Sequence, residues 1–350
     1  MLKSSQPLRN HTSSHAILNL LTVNNLTVST EHKSGSINIL DNLNFKLERG
    51  KSLGVVGESG CGKSMMAFAI MGLLPDNMTA SGEVQFGGNL LSLPEKDLCQ
   101  IRGNKISMVF QEPMSALNPV LPIGFQVAES LRLHKNLSRH QAQQQASKVL
   151  DRVGLPTQQY SRSLYPHQLS GGQRQRVVIA IAMACGPELI IADEPTTALD
   201  VTIQAQILAL IAELVYEENM SLILITHDLG VVAENTDQML VMYAGRIVER
   251  GPTNKVFENL AHPYTRGLFA SIPDAEITNT EKGLETEYSQ TNRLSTIPGR
   301  VPEFWERSKG CTFAERCSRS QANCSSQLPD EIRLGTGHSA ACFFPYKQKV

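Results

Sequence analysis

The residues best suited to chemistry form one run near the start of the chain, Gly57-Glu58-Ser59-Gly60-Cys61-Gly62-Lys63-Ser64. A glycine, four free positions and then Gly-Lys-Ser is the pattern of a phosphate-binding loop. Its glycines let backbone N–H groups turn inward around phosphate oxygens, because no Cβ stands in the way. Lys63 supplies positive charge for the β- and γ-phosphates, and the Ser64 hydroxyl can ligate Mg²⁺. The run therefore predicts a site for a nucleoside triphosphate and Mg²⁺, the alternative being a glycine-rich turn that binds nothing.

A second group of candidates is the carboxylate pair Asp193-Glu194, which follows four apolar residues. A carboxylate at the end of a buried strand, beside a phosphate loop, can hold Mg²⁺ or its water shell. The adjacent Glu194 is placed to polarise an attacking water as a general base. Alone, such a run indicates only a strand that reaches solvent; together with the phosphate loop it predicts nucleotide hydrolysis.

The third candidate is a small-residue string that opens a predicted helix, Leu169-Ser170-Gly171-Gly172-Gln173. Such a loop offers backbone N–H groups and the positive end of a helix dipole to an anion. The alternative is a flexible cap in front of the helix.

Taken together, these motifs resemble those of the ATP-binding cassette (ABC) family, in the family's order, over residues from about 20 to 252. The resemblance implies ATP as the nucleotide and contact of Ser170, Gly171, Gly172 and Gln173 with the γ-phosphate of ATP on an opposite subunit. It implies that Gln111 senses the γ-phosphate, Mg²⁺ and the membrane partner. It also implies that His227 contacts the γ-phosphate and that Asp200 lies in a loop crossing the dimer interface.

One position departs from the family pattern. The family often stacks the adenine on an aromatic side chain upstream of the phosphate loop, whereas residues 37–39 here carry none. Apolar contact is the alternative expected at this position.

These residues need elements that position them. The sequence predicts strands at 52–56, 106–111, 189–193 and 221–226, and helices at 63–74, 170–185 and 202–217. Residues 124–154 have apolar side chains at helical spacing, which predicts an inserted helical part. Strands alternating with helices predict an α/β fold with an antiparallel opening β-region at 20–29 and 37–47. With the resemblance, the expected fold is an ABC ATPase core plus a small loop-rich extension.

The domain organisation follows from changes in composition. We expect a flexible leader at 1–15, an ATP-binding domain at 16–252 with its helical subdomain at about 112–185, and an extension at 253–350. A polar stretch at 274–292 reads as a linker or long loop.

The overall composition limits the classes of partner that the chain is expected to bind. Among 350 residues there are 32 basic and 33 acidic ones, a formal net charge of −1. This balance predicts no nucleic-acid partner and no basic block for anionic lipid. No run of 18 apolar residues and no signal peptide is evident, so the chain is expected to stay in the cytoplasm without spanning a membrane by itself.

Seven cysteines in a cytoplasmic chain favour free, catalytic or metal-bound thiols over disulfides. Four lie in the last 40 residues, at Cys311, Cys317, Cys324 and Cys342. Their clustering suggests a soft-metal site, although the spacing is wider than in common zinc sites. The alternative is four unpaired cysteines in a small core. The other three, Cys61, Cys99 and Cys185, are expected to be a small loop filler and ordinary helix or core residues.

The extension resembles that of the D-type ATPase subunits of dipeptide and oligopeptide importers. The strings that match are His262-Pro263-Tyr264-Thr265, Ile297-Pro298-Gly299 and Gly310-Cys311…Arg316-Cys317. This resemblance implies a [4Fe–4S] cluster on the four cysteines, with zinc as the second choice. It implies a second homologous ATPase, two membrane-spanning permeases and an extracytoplasmic peptide-binding protein, at the cytoplasmic face of the membrane. Alternatives are another cargo (nickel, a glycan or an antimicrobial peptide) or a related ATPase acting on nucleic acid or ribosomes.

Overall fold

The computed structural model describes residues 19–32, 35–197, 199–271 and 296–346. The predicted leader and the predicted linker at 274–292 lie outside these ranges. Within them, the strands are β1 (Asn19–His32), β2 (Gly35–Glu48), β3 (Ser52–Val56), β4 (Met78–Gln85), β5 (Ile106–Val109), β6 (Leu189–Asp193), β7 (Ser221–Thr226), β8 (Gln238–Tyr243), β9 (Arg246–Pro252), β10 (Glu331–Gly335) and β11 (His338–Ala341).

The α-helices of the described ranges alternate with these strands as the sequence predicted. They are α1 (Lys63–Met71), α2 (Glu95–Ile101), α3 (Pro113–Ala116), α4 (Ile123–Lys135), α5 (Arg139–Arg152), α6 (Gly171–Met183), α7 (Val201–Glu217), α8 (Leu229–Asn235), α9 (Thr253–Asn259), α10 (Pro263–Ala270) and α11 (Ala322–Ser326). None of them is both long and apolar enough to cross a bilayer.

The described strands form two sheets. The smaller is antiparallel in the order β2-β1-β4, which confirms the predicted opening β-region. The larger has the order β10-β11-β9-β8-β3-β7-β6-β5. Its central strands β5, β6, β3, β7 and β8 are parallel, and every residue of β5, β6 and β7 is buried. Elements cover both faces of such a sheet, which explains why these strands are continuous apolar runs instead of alternating ones.

The predicted helical part consists of α3 to α6. Helix α5 turns its small and branched residues inward, with Ala142, Ala146, Val149 and Leu150 buried. It packs against α4 and α6 around a core that also includes the apolar face of α7. This arrangement places the N-terminus of α6, with the Ser170 string, at the end of the helical part.

The extension is more regular than the loop-rich segment that the sequence predicted. Strand β11 pairs with β9, through Ser339 opposite Arg250 and Ala340 opposite Glu249, and β10 pairs with β11. The extension therefore continues the large sheet of the core. Its aromatic residue Phe313 packs against Tyr243 and Tyr264, with ring centroids 5.1 and 5.3 Å apart.

Candidate functional site

The candidate site lies at the carboxyl ends of neighbouring parallel strands. Strand β3 pairs with β7, and β7 pairs with β6, so that Val56 lies beside Thr226 and Asp193 beside Ile225. The residues that follow these strands are the phosphate loop, His227 and Glu194. Because parallel strands end at one edge of the sheet, the predicted residues come together there.

The phosphate loop connects β3 to α1 through glycines with unusual backbone angles. Gly60 and Gly62 have φ values of +79° and +105°, a region in which L side chains are strained. A Cβ on Gly62 would also approach the Leu40 Cδ2 atom at 2.6 Å. The loop ends at the N-terminus of α1, where backbone N–H groups and the helix dipole favour an anion.

Lys63 is buried and folds back over the loop that precedes it. Its Nζ atom donates to the carbonyl oxygens of Gly57 and Glu58, at 2.8 and 3.1 Å. The ammonium group is thus held within the loop that is predicted to surround the phosphates.

Asp193 ends β6 in a buried position that suits a Mg²⁺ ligand. Among the described residues, its Oδ1 atom has no hydrogen-bond partner. Burial raises the pKa of Asp193, and the charge of Glu194 raises it further, whereas a hydrogen bond from Ser64 and the charge of Lys63 lower it. A buried carboxylate oxygen without a partner, next to a serine hydroxyl, fits the oxygen ligands that Mg²⁺ prefers.

The carboxylate of Glu194 contacts two other predicted catalytic side chains, those of Gln111 and His227. Its Oε2 atom accepts hydrogen bonds from Gln111 Nε2 at 3.3 Å and Thr197 Oγ1 at 3.0 Å, and it lies 3.5 Å from His227 Nδ1. The backbone of Glu194 has φ +44°, a left-handed conformation that is uncommon for a residue with a side chain. Such strain is typical of functional sites, and here it occurs at the residue whose carboxylate contacts Gln111 and His227.

The Ser170 string lies apart from this edge and does not bond to it. Ser170 caps α6 in a reciprocal capping box with Gln173: Ser170 Oγ accepts from Gln173 N–H at 3.3 Å, and Gln173 Oε1 accepts from Ser170 N–H at 2.9 Å. A Cβ on Gly172 would approach Ile203 of α7 at 2.8 Å. Asp200 caps α7 and accepts from the Ile203 N–H at 3.0 Å. Within the described chain, none of these hydrogen bonds reaches the phosphate loop.

The four cysteines of the extension converge on one cavity. Cys311, Cys317, Cys324 and Cys342 line it, together with mostly apolar neighbours such as Pro263, Phe313 and Phe344. Burial raises the pKa of Cys311 and Cys317, and it raises the pKa of Cys342 to about 11. In the described ranges, however, no three His, Cys, Asp or Glu side chains are grouped closely enough to hold a metal ion. The four cysteines therefore share a cavity, but the described ranges give no support for a metal site there, either for a [4Fe–4S] cluster or for zinc.

The remaining cysteines behave differently from one another. Cys61 is buried within the phosphate loop, and burial raises the pKa of its thiol. Cys185 is buried after α6, whereas Cys99 is exposed on α2 and donates to Glu95 Oε1 at 3.4 Å.

Two residues at the site had no predicted role. Arg316 donates to the phosphate-loop carboxylate of Glu58 through Nη1 and Nη2, at 2.6 and 2.9 Å, and Tyr264 Oη accepts from the Glu58 N–H at 2.7 Å. Both residues lie in strings that carried the resemblance of the extension. Nothing in their spacing indicated that Tyr264 and Arg316 would reach a residue that lies 206 and 258 positions earlier in the chain.

Comparison with known proteins identifies the family. A sequence model described as "ABC transporter" matches residues 40–197, and one described as "Oligopeptide/dipeptide transporter, C-terminal region" matches residues 248–324. The chain is 44% identical to the oligopeptide transport ATP-binding protein OppD of Salmonella typhimurium, over 94% of this chain and 95% of that protein. The chain belongs to the ABC transporter family. It is also 47% identical to a putative peptide import ATP-binding protein of Brucella melitensis, over 92% of this chain and 94% of that protein.

Solved structures confirm the predicted fold. A dimeric, post-hydrolysis structure of the ATP-binding cassette MJ0796, bound to ADP and Pi, is similar with a TM-score of 0.60 and 30% identity. The match covers 67% of this ABC protein and 98% of MJ0796. CbiO1 of Clostridium perfringens, part of the ABC transporter complex cbiONQ, is similar with a TM-score of 0.57 and 27% identity, over 68% and 90% of the two chains. ATP hydrolysis is the activity expected of such a cassette.

Proposed function

We propose that this chain is the ATP-hydrolysing subunit of an ABC importer for dipeptides or oligopeptides. The observation that carries the hydrolytic part is the arrangement around Glu194, whose carboxylate meets Gln111 and His227 beside the buried Asp193. The relatives named for oligopeptide transport and peptide import, which align over most of the chain, support the cargo class.

The phosphate loop holds the triphosphate in the first step. Backbone N–H groups from Gly57 to Ser64 and the Lys63 ammonium bind the phosphate oxygens. Ser64, Asp193 and Gln111 would hold Mg²⁺, which would supply positive charge to the β- and γ-phosphates.

Hydrolysis then depends on the residues at the carboxyl ends of β6 and β7, next to the phosphate loop. Glu194 takes the proton of the attacking water as general base, and His227 contacts the γ-phosphate and stabilises its developing charge. The Ser170–Gln173 loop and Asp200 act on ATP bound to a second ATPase subunit, which accounts for their separation from this chain's own phosphate loop.

The assembly follows from the importer function. Two membrane-spanning permeases supply the pore, a homologous ATPase supplies the opposite half-site, and an extracytoplasmic protein delivers the peptide. The chain lies at the cytoplasmic face of the membrane, where Gln111 and the helical subdomain at about 112–185 contact the permeases. The boundaries proposed for the ATP-binding domain and the extension are 16–252 and 253–350.

The cysteine cavity is proposed to hold a [4Fe–4S] cluster. Four thiols around one mostly apolar cavity are the donor set that such a cluster requires. Among the described residues, however, no three such side chains are grouped so as to hold a metal ion, so the proposal rests on the donor set alone. Thiolates are the ligands of such a cluster, so Cys311 and Cys342, whose pKa values are raised by burial, would have to lose protons when it binds.

The test of the catalytic assignment is Glu194→Gln. This variant is expected to bind ATP with unchanged affinity and to lose about 100-fold or more of its ATPase rate, the usual contribution of a general base. Glu188→Gln, at a carboxylate just before β6, is the control and should hydrolyse ATP normally. Near-normal hydrolysis by Glu194→Gln would show that the base is another group.

Co-purification from detergent-extracted membranes tests the proposed assembly. Permeases and a second ATPase are expected to co-purify with this chain, and their absence would contradict the importer function.

A further inference from the structure

Glu58, in the phosphate loop, has all its polar groups held by hydrogen bonds. Its backbone N–H donates to Tyr264 Oη at 2.7 Å, and its carbonyl oxygen accepts from Lys63 Nζ at 3.1 Å. Its two carboxylate oxygens accept from the Arg316 guanidinium at 2.6 and 2.9 Å. Two of the three partners, Tyr264 and Arg316, come from the extension and not from the ATP-binding core.

Arg316 is itself rigidly held. Its side chain is 6% exposed, and its Nε atom donates to the Pro298 carbonyl at 2.7 Å. A third contact joins its Nη1 atom to Tyr243 Oη at 3.3 Å. A planar guanidinium fixed in this way binds a carboxylate in one geometry, which a lysine would not do.

The position of Arg316 is set by the loop that carries two of the four cavity cysteines. The Arg316 N–H donates to the Phe313 carbonyl at 3.1 Å, and the Ala314 N–H donates to the Cys311 carbonyl at 3.0 Å. Arg316 directly precedes Cys317, and Phe313 lines the cysteine cavity. A change in the cavity therefore moves the same short loop that presents Arg316 to Glu58.

We propose that Arg316 is a positioning residue for ATP binding, through which the cysteine cavity of the extension controls the shape and charge of the phosphate loop. The proposal rests on the ATP-binding function proposed above. Arg316 keeps the Glu58 backbone in place and neutralises a carboxylate that would otherwise repel the triphosphate next to it. ATP affinity is thus set partly by a contact outside the cassette.

The first experiment measures the Kd of Mg·ATP for the full chain by isothermal titration. Arg316→Ala is expected to raise the Kd by about tenfold, the scale of one lost charge-assisted pair. Arg300→Ala is the matched control, because Arg300 forms an exposed ion pair with Glu306 in the same extension and should leave the Kd unchanged. An unchanged Kd for Arg316→Ala overturns the proposal, whereas wild-type protein that binds no ATP overturns the proposed function instead.

A double-mutant cycle separates positioning from general support of the fold. In a Glu58→Gln background, Arg316→Ala is expected to change the Kd less than in wild type, because the carboxylate that it neutralises is gone. An equal change in both backgrounds shows that Arg316 does not act through Glu58. If the alanine variant does not fold, Arg316→Lys replaces Arg316→Ala in both backgrounds, because lysine cannot form the bidentate contact with the carboxylate.

A second cycle tests the link to the cavity. Cys317→Ser is expected to raise the Kd of Mg·ATP a few-fold in wild type, and to have no further effect in the Arg316→Ala background. Cys99→Ser, at an exposed cysteine on α2, is the control and should have no effect in either background. Equal effects of Cys317→Ser in the two backgrounds contradict coupling through Arg316.

Discussion

The Asp193 side chain lies in a buried position, where a charged carboxylate lowers the stability of the fold. It is buried beside Glu194, one of its oxygens has no hydrogen-bond partner among the described residues, and burial raises its pKa. Removing a charge from water in this way lowers stability unless a ligand compensates. This cost agrees with the role of Mg²⁺ ligand proposed for Asp193.

Asp193→Asn is expected to raise stability while abolishing function. The amide is nearly isosteric but uncharged, so the free energy of unfolding without nucleotide should rise by about 1 kcal/mol, as at other active sites. Mg²⁺-dependent ATP binding should be lost, since the anionic ligand is gone. Urea unfolding and nucleotide titration with and without Mg²⁺ measure the two effects. A variant that is less stable than wild type would show that the charge supports the fold.

At the scale of elements, two helices begin with the same motif but differ in their proposed roles. Ser138 with Gln141 caps α5, and Ser170 with Gln173 caps α6, each through a reciprocal capping box. The local energetics of the two caps should be equal. Only the second belongs to the string proposed to meet ATP on another subunit.

Ser138→Ala and Ser170→Ala are expected to lower the free energy of unfolding by a similar amount, about 1 kcal/mol. Ser170→Ala alone should also impair ATP-dependent association of the ATPase subunits, because Ser170 belongs to the string that is proposed to contact the partner's nucleotide. Chemical denaturation gives the first quantity and analytical ultracentrifugation of hydrolysis-deficient protein gives the second. Equal association of the two variants would limit Ser170 to a capping role.

Helix α10 begins with a cap that makes stability depend on pH. His262 Nδ1 accepts from the Tyr264 N–H at 3.1 Å, and complete burial lowers the pKa of His262 to about 4 despite the nearby Glu249. Below about pH 6.5 the unfolded chain binds a proton on this imidazole, whereas the folded chain does not until about pH 4. Stability therefore falls as the pH decreases through this window.

His262→Asn is expected to keep the cap, because asparagine is a good N-cap acceptor, and to remove this proton uptake. The loss of unfolding free energy between pH 6.5 and 4 should shrink by on the order of 3 kcal/mol relative to wild type. Urea unfolding of both proteins at several pH values measures the difference. Parallel pH profiles for the two proteins would show that His262 is protonated in the folded state.

At the scale of the whole molecule, the sequence predicted most of the hydrolytic edge. Asp193 ends a buried apolar strand, and Glu194 and His227 each follow one. Parallel strands bring such residues to one edge, so their meeting is a consequence of the fold class. The pattern of residues along one β-strand does not show how segments that are far apart in the sequence pack against each other. The pairing of β11 with β9 and the contact of Arg316 with Glu58 both depend on packing between the extension and the core, which no local spacing encodes.

The extension is joined to the core by a buried polar network around Glu249 of β9. Its carboxylate accepts from the N–H groups of Ala261 and His262, at 2.9 and 2.8 Å, and lies 2.8 Å from His338 Nε2 of β11. The side chains of Glu249 and His338 are 0% and 2% exposed. Loss of the carboxylate leaves several buried donors without partners, which is far more costly than the loss of an exposed pair.

Glu249→Ala is therefore expected to destabilise the protein by about 3 to 5 kcal/mol. Glu306→Ala, which breaks the exposed pair with Arg300, should cost less than about 1 kcal/mol. Because the network includes β11 and the residues that precede α10, protease should cleave the extension of Glu249→Ala before it degrades the core. Denaturant unfolding and timed proteolysis with mass analysis measure both effects. If the extension of Glu249→Ala resists protease as well as that of Glu306→Ala does, its docking depends on the apolar contacts of Phe313 instead, and Arg316 would stay in place against the phosphate loop.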